Sequence, residues 1–470
     1  MEVLLALMNL QHRGQDGAGI LSLDEHGKLI LTQQSGLISL GELESAVRHK
    51  KDSFAIGHTR YATVGGDKLE MLQPFVLEKF GIGLAHNGNI VNFLDMEEEL
   101  AKDSNLRLSS SRWVLSDSFM ILAQLARTLR WRDLTSSAIF DAVRSVHKVA
   151  VGSYSVVSIL KDGTIFGFRD PHGIRPLFYG SRQGKERVEY GVASESVALS
   201  YLGFGAITEV KPGEAFVVSP NGNFESALLK EAEHFPCMFE WVYFSRVESS
   251  LGNKSVYDAR FALGVELGRA VQKLGITADV VVPVPETSRV SAIALAEVLG
   301  LPFRELLVKN RYVNRTFILD TQENREEAIK RKLYPIASQF AGKRCLIVDD
   351  SIVRGNTARQ LVKLVRDSGA VDVTLLSACP AIRNPCYYGI DFPDGSELLA
   401  HGRTDEDVAR ELGADRVVFQ TIEGLKEALA EKSLCTGCLS GEYPTDISFA
   451  ESFAERRRAD RLKEESSMGV

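Results

Sequence analysis

Up to about residue 230 the apolar residues come in short runs separated by turn-forming residues. Ser153-Tyr-Ser-Val-Val-Ser-Ile-Leu160 is followed by Lys161-Asp-Gly163 and then by Ile165-Phe-Gly-Phe168, the pattern of antiparallel hairpins. From about residue 255 the rhythm changes to strand, turn and long helix. Asp279-Val-Val-Val-Pro283 predicts a strand and Val290 to Leu299 a helix; Arg344 to Val348 and Asn356 to Asp367 repeat the pair. That alternation predicts a parallel sheet with crossover helices. Glu231 to Asn253, with Cys237 and the polar stretch Ser245-Arg-Val-Glu-Ser-Ser250, is the natural seam, and a polar helix from about Phe453 to Glu465 closes the chain. The expected domains are therefore 1–230 and 231–450, followed by a tail, 451–470.

Composition narrows the class without naming a function. A chain of 470 residues is about three times the usual single-domain length, so two large domains with full cores are expected. A 44% hydrophobic and 25% charged content with mean hydropathy near zero describes a globular protein. The net charge of −7 and pI near 5.8 imply no surface-wide attraction to nucleic acid, and the basic run Arg456 to Arg461 reads as a solvated helix face. Met1 to Leu10 is apolar but has no basic start and turns polar at Gln11-His-Arg13, unlike a signal peptide or a membrane span. Six cysteines are too sparse for a disulfide scaffold, so the expected compartment is the reducing cytoplasm, with cysteines used for metal binding, catalysis or burial.

One segment carries chemistry. Leu346-Ile-Val348 predicts a buried strand, and Asp349 and Asp350 at its carboxyl end would be costly there unless they face a ligand or crevice. Ser351, Ile352, Val353, Arg354, Gly355, Asn356 and Thr357 then lead into a helix whose apolar face is Ala358, Leu361, Val362 and Val365. Such a loop cradles a phosphate on its amides and the helix dipole, leaving the aspartates to accept hydrogen bonds from ribose hydroxyls. A bare Asp-Asp-Ser would more often be an acidic turn capping a helix; the full run from Val348 to Thr357 outweighs that alternative.

The run resembles the phosphoribosyl-diphosphate loop of the type I phosphoribosyltransferases, in the form found in the glutamine phosphoribosylpyrophosphate amidotransferase family. Pro283-Val-Pro-Glu-Thr-Ser288 is similar to that family's pyrophosphate-side loop, in which Thr287 matches a hydroxyl that joins Asp349 and Asp350 around magnesium. Lys309-Asn-Arg-Tyr-Val-Asn-Arg-Thr-Phe317 is similar to its flexible loop, which closes over the substrate. Displacing pyrophosphate from C1 builds an oxocarbenium-like centre and an anionic leaving group, so magnesium and cations are required. Lys309, Arg311, Arg315, Arg325 and Lys332 are the candidate cations, although each alone would more often be a solvated surface charge.

The amino-terminal half resembles the same family, through Gln11-His-Arg-Gly-Gln-Asp-Gly-Ala-Gly19, His58-Thr-Arg-Tyr-Ala-Thr63, Ala85-His-Asn-Gly-Asn89 and Ser116-Asp-Ser118. The resemblance implies an α+β Ntn-hydrolase-type αββα glutaminase domain followed by an α/β type I phosphoribosyltransferase domain. It also implies that Arg60 grips the carboxylate of glutamine and Asp117 its amino group, with Asn87 and Gly88 forming the oxyanion hole. Taken singly, Arg60 reads as a strand-end arginine, Asp117 as a helix cap and Asn87-Gly88 as a hairpin turn. The family's nucleophile is a cysteine at the mature amino terminus. This chain opens inside the first helix, its earliest cysteine is Cys237, and no residue fills that role. The retained glutamine-gripping residues favour a longer native chain over a lost glutaminase. As written, the chain is expected to use free ammonia only.

Cys435-Thr-Gly-Cys438 has the spacing of a metal-binding pair, which leaves zinc, an iron–sulfur cluster and plain burial open. The family resemblance implies that Cys237, Cys386, Cys435 and Cys438 hold a 4Fe–4S cluster with a structural role, while Cys345 and Cys379 are buried. It also implies formation of 5-phosphoribosylamine for purine synthesis, a homotetramer, inhibition by purine nucleotides, and an ammonia passage between the sites. The alternative is a non-catalytic nucleotide sensor on a phosphoribosyltransferase fold. That reading predicts a basic DNA-reading element, which an acidic chain lacks.

Overall fold

The computed structural model describes residues 1–38, 43–44, 54–61, 71–106, 116–185, 187–310, 333–392 and 395–449. In the amino-terminal half the hairpin pattern produces two stacked sheets. In the first, β1 (Gly17–Leu23) lies between β2 (Leu29–Ser35) and β3 (Phe54–Arg60), all antiparallel. The second contains β4 (Phe75–Leu77), β5 (Ile82–Ile90), β6 (Gly152–Leu160), β7 (Ile165–Arg169), β11 (Glu214–Val218) and β12 (Phe224–Leu228), in the order β12-β11-β7-β6-β5-β4. A smaller side sheet is formed by β8 (Phe178–Gln183), β9 (Val188–Ala193) and β10 (Gly205–Glu209).

Leu21, Leu23 and Ile56 of the first sheet meet Ala85 and Ile159 of the second in one apolar cluster. The helix Glu2–Asn9 sets Leu4 and Leu7 against Ala18 and Ile20 on the outer face. On the opposite face the helices Asp117–Leu129 and Ser136–Val149 bury Phe119, Leu122, Ala142 and Val146 against Leu84, Tyr154 and Phe166. The layering is helix, sheet, sheet, helix, the αββα arrangement expected. Its cause is that both sheets are apolar on both faces, so each needs a cover on its outer side.

The second half opens with a short hairpin, β13 (Ser250–Leu251) and β14 (Lys254–Ser255). It then builds a parallel sheet from β15 (Val280–Pro283), β18 (Arg344–Asp349), β19 (Asp372–Ser377) and β20 (Arg416–Phe419), in that order. The helices Val256–Lys273 and Arg289–Leu299 cover one face, placing Leu267, Val271 and Leu295 on Val281, Leu346 and Val348. Asn356–Asp367 and Asp405–Leu412 cover the other, where Leu361, Val362, Val365 and Val408 meet Ile347 and Leu375. Strands buried on both faces explain the unbroken apolar runs. A separate two-stranded ribbon, β16 (Leu307–Lys309) and β17 (Leu333–Pro335), buries Leu307 and Leu333 and exposes Val308, Lys309 and Tyr334. The strand expected from Asp279 begins one residue later, because the Asp279 carboxylate instead binds the Arg344 backbone N–H (2.8 Å) and guanidinium (2.7 Å).

The seam is itself a core. Cys237 to Val242 are buried together with Leu10, Ile174 and Phe178 from the first half and Ile382, Tyr388, Leu434 and Leu439 from the second. The tail, 451–470, with its expected helix, lies outside the described residues.

Candidate functional sites in the two halves

β18 ends at Asp349, and the loop beyond it leads to the helix Asn356–Asp367. Asp349 Oδ1 accepts from the Asp350 N–H at 2.9 Å, and Asp350 Oδ1 accepts from Ser351 Oγ at 2.9 Å. Ile352 is buried and Val353 O accepts from Leu399 N at 2.9 Å, which pins the loop from beneath. Arg354 reaches Glu397 at 3.2 Å. Gly355 has φ +79°, and a Cβ there would lie 2.8 Å from Leu399 Cδ2, so only glycine fits. The N–H groups of residues 352–355 find no acceptor among the described residues. With Asn356 and Thr357 opening the helix, they form a set of donors suited to an anion.

Burial and the neighbouring carboxylate push Asp349 well above the usual carboxylate range. Burial pushes Asp350 up to about 6, against hydrogen bonds from Ser351 and Thr287 and the charge of Arg260. Thr287, in the loop after β15, is thus brought to Asp350. Two adjacent buried acids favour an arriving cation. Among the described residues no three His, Cys, Asp or Glu side chains group around one ion. Magnesium is commonly held by one or two carboxylates plus substrate phosphates, and the Asp349–Asp350 pair offers two carboxylates. Lys309 ends β16, exposed and paired with Leu333 of β17. Arg311, Arg315, Arg325 and Lys332 lie outside the described residues.

In the first half, the ends of β3 and β5 converge. Arg60 closes β3; its carbonyl accepts from Asp16 N at 3.0 Å and its guanidinium donates to Met71 O. Asn87 and Gly88 lie near the end of β5, opposite Ser155 and Tyr154 of β6, and Gly88 has φ +150°. Asp117 is the first residue of its helix, and the N-cap is Ser116, which makes no side-chain capping bond. The Asp117 carboxylate accepts instead from Ile90 N (3.1 Å) and Ser118 N (2.7 Å), so it ties the helix to β5. His86 bonds Ser118 Oγ at 2.9 Å, and burial lowers its pKa. Burial, aided by His86 and Arg60, also lowers His58 to about 3.

The four cysteines gather beneath this site. Cys237 and Cys435 face each other across a parallel bridge, with Cys435 N donating to Pro236 O at 2.9 Å. Cys438 O accepts from Arg383 N (3.0 Å) and Asn384 N (2.9 Å), which brings in the segment of Cys386. Burial pushes Cys237 up to about 12, and burial together with Cys386, Cys435 and Cys237 raises Cys438. Among the described residues these thiols are not grouped closely enough to hold a metal ion. Cys345 is buried in the core of the second half, while Cys379 is buried in the same cluster as Cys237, Cys435 and Cys438.

Sequence patterns did not single out the ion network at the seam. Arg13 reaches Glu195 and, at 2.6 Å, Glu240; Arg175 reaches Glu240 at 3.2 Å and Asn87 at 3.3 Å. Arg260 donates to the carbonyls of Trp241 (2.9 Å), Tyr243 (3.0 Å) and Ser245 (2.7 Å). Arg13 sits inside the Gln11 to Gly19 motif, and Arg175 follows the turn Asp170-Pro-His-Gly173. Those motif positions are the available local signals.

The two halves define a class of protein in which a glutamine amidotransferase domain is joined to a phosphoribosyltransferase domain. Family models with those two descriptions match residues 58–201 and 266–391. The chain is 42% identical over 431 residues to the amidophosphoribosyltransferase of Pseudomonas aeruginosa, covering 90% of this chain and 85% of that protein. It is 38% identical over 478 residues to that of Haemophilus influenzae, with 98% and 94% covered. The solved glutamine phosphoribosylpyrophosphate amidotransferase from B. subtilis, complexed with ADP and GMP, superposes with a TM-score of 0.82 at 34% identity, covering 95% of each chain. The chain belongs to the amidophosphoribosyltransferase family.

Proposed function

We propose that this chain transfers the phosphoribosyl group of phosphoribosyl diphosphate to ammonia, forming 5-phosphoribosylamine and pyrophosphate, with glutamine as the nitrogen donor for which the first half is built. The observation that carries the reading is the Asp349–Asp350 pair at the end of β18, followed by the pinned loop to Thr357. Ser351 to Thr357 bind the 5′-phosphate through backbone N–H groups. Asp349 and Asp350 accept from the ribose hydroxyls. Ammonia attacks C1, the C1–O bond to pyrophosphate breaks, and the nitrogen then loses a proton to solvent. Magnesium would be held by Thr287, Asp349 and Asp350 together with substrate oxygens, and when bound it spreads the charge of the departing pyrophosphate. Lys309, Arg311, Arg315, Arg325 and Lys332 supply further positive charge toward the pyrophosphate.

In the first half, Arg60 and Asp117 grip the α-carboxylate and α-amino groups of glutamine, and Asn87 and the Gly88 N–H face its side-chain carbonyl. Cys237, Cys386, Cys435 and Cys438 would hold a 4Fe–4S cluster at the seam as a structural tie. Iron and sulfide analysis of anaerobically purified protein tests this, and stoichiometric zinc would refute it. Nucleotides in the B. subtilis relative support purine nucleotides as inhibitors. A homotetramer in the cytoplasm, acting on small molecules and without nucleic acid or membrane, completes the reading; no described helix is long and apolar enough to cross a membrane.

A pyrophosphate-release assay comparing ammonia, glutamine and purine bases tests the function. Release with ammonia and none with a purine base is the expected result. Release with a purine base would indicate a salvage transferase, and nucleotide binding without release a sensor.

A further inference from the structure

The geometry assigns Arg175 as a positioning residue of the glutamine site, one that orients the amide of Asn87 and is itself held from the other half of the protein. The assignment rests on the proposed oxyanion role of Asn87. Arg175 is 2% exposed. Its backbone is fixed first: the Arg175 carbonyl accepts from Ser155 Oγ at 2.9 Å and from Arg169 Nε at 2.6 Å. Ser155 is the residue paired with Asn87 across the β5–β6 ladder, so the arginine is clamped beside the residue it contacts. Its guanidinium then donates from Nη2 to Asn87 Oδ1 at 3.3 Å.

That contact has a chemical consequence. An asparagine amide has one accepting end and one donating end, whereas a guanidinium only donates. Arg175 therefore takes up Oδ1 and leaves the Nδ2 donors of Asn87 for the site. Only the donating end can stabilise negative charge on a glutamine carbonyl oxygen. With the amide reversed, Asn87 would present a lone pair and repel that oxygen.

The far side of the guanidinium belongs to the seam. Arg175 Nη1 lies 3.2 Å from Glu240 Oε1, close enough for an ion pair but poorly aligned for a hydrogen bond, and its Cζ sits 5.2 Å from the centre of the Phe244 ring. Glu240 is shared with Arg13, which binds it at 2.6 Å. Glu240 and Phe244 both belong to the segment that enters the phosphoribosyl half. Asn87 is thus oriented by a side chain whose own place depends on the neighbouring half.

The test is calorimetric titration of the full chain with L-glutamine and with L-norvaline. Norvaline keeps the α-amino and α-carboxylate groups and the chain length but has no side-chain carbonyl, so Arg60 and Asp117 can hold it while Asn87 cannot. Wild type is expected to prefer glutamine. Arg175→Gln should weaken glutamine about tenfold, the worth of one hydrogen bond to a charged group, and leave norvaline binding where it was. Phe244→Leu, which loosens Arg175 without touching Asn87, should shift glutamine in the same direction by less. Equal glutamine affinity in wild type and Arg175→Gln would overturn the assignment. So would a parallel loss of both ligands, or no preference for glutamine in wild type. Ammonia-dependent pyrophosphate release, measured on the same wild-type sample, separates the two readings. Its absence beside an intact glutamine preference sinks the proposed transferase activity and leaves Arg175 standing.

Discussion

Asn89 in the first half donates its side-chain N–H to the carbonyl of Tyr387 in the second, at 2.8 Å across 298 positions of sequence. Ser153, opposite Asn89 in the ladder, donates to the next carbonyl, that of Tyr388, at 2.9 Å. The Asn87–Asn89 end of β5 is therefore seated on the strip that follows Cys386. Gly389 completes the seat: its φ is +93°, and a Cβ there would lie 2.8 Å from Gly88 O. Gly389→Ala should lower stability by about 1–3 kcal/mol through strain and overpacking. Thermal melts check the stability loss. L-glutamine titration should show weaker binding, because the displaced atoms are those of Gly88. Unchanged melting and binding would mean that the seat yields freely.

At the phosphoribosyl site, the side chain to remove is Asp350. It meets Thr287 and Ser351 directly and shares its burial with Asp349. Asp350→Asn keeps the volume but removes a charge that the site needs to draw a cation and hold ribose. Ammonia-dependent kcat/KM should fall by about a hundredfold or more, the usual effect of deleting one electrostatic group from an active site. Pyrophosphate release at saturating ammonia measures it, and a loss below about threefold would remove Asp350 from the proposed mechanism.

How far the sequence predicts such sites depends on the distance over which each is built. The loop from Asp349 to Thr357 was legible because strand, acids, glycine and amphipathic helix follow one another, and local order encodes the whole cradle. The parallel sheet was legible for the same reason. Taken singly Asp117 reads as a helix cap, yet one of its oxygens goes to Ile90 in β5, a tertiary use that propensity cannot foresee. The Arg13 contacts to Glu195 and Glu240 span 182 and 227 positions. Neither has a periodicity or spacing to reveal it, because an ion pair needs only two side chains and a fold that brings them together.

That network should govern acid stability. Glu195 is fully buried, which by itself would raise its pKa, yet Arg13, His12 and Ser249 hold it far below the usual carboxylate range. A depressed folded pKa contributes stability above the unfolded value, about 4.3, and the contribution is lost as pH falls below it. Glu195→Gln leaves Arg13 with an incompletely paired buried charge and should cost about 3–5 kcal/mol near neutrality. The difference in Tm between variant and wild type should shrink from pH 6 toward about pH 3. A constant difference would show that the carboxylate charge is not what stabilises the seam.

A second titration acts at higher pH and in the other core. His147 Nδ1 bonds Tyr154 Oη at 2.9 Å, and its ring stacks on Tyr154 and meets Phe168 edge-on. Nε2 has no partner among the described residues. Burial, with the charge of Lys230 adding, lowers the imidazole to about 3, so it stays neutral in the folded protein while the unfolded chain takes up a proton near pH 6.5. Between those values the unfolded state binds more protons, and stability must fall as pH falls. The slope contributed by this residue approaches about 1.4 kcal/mol per pH unit. His147→Gln keeps a polar group beside Tyr154 but cannot titrate. It should be less stable than wild type at pH 7 because of poorer packing, yet lose less stability between pH 6 and pH 4. Urea unfolding followed by far-ultraviolet circular dichroism across that range reads the difference. Parallel pH profiles for the two proteins would mean that His147 is protonated in place or reached by water.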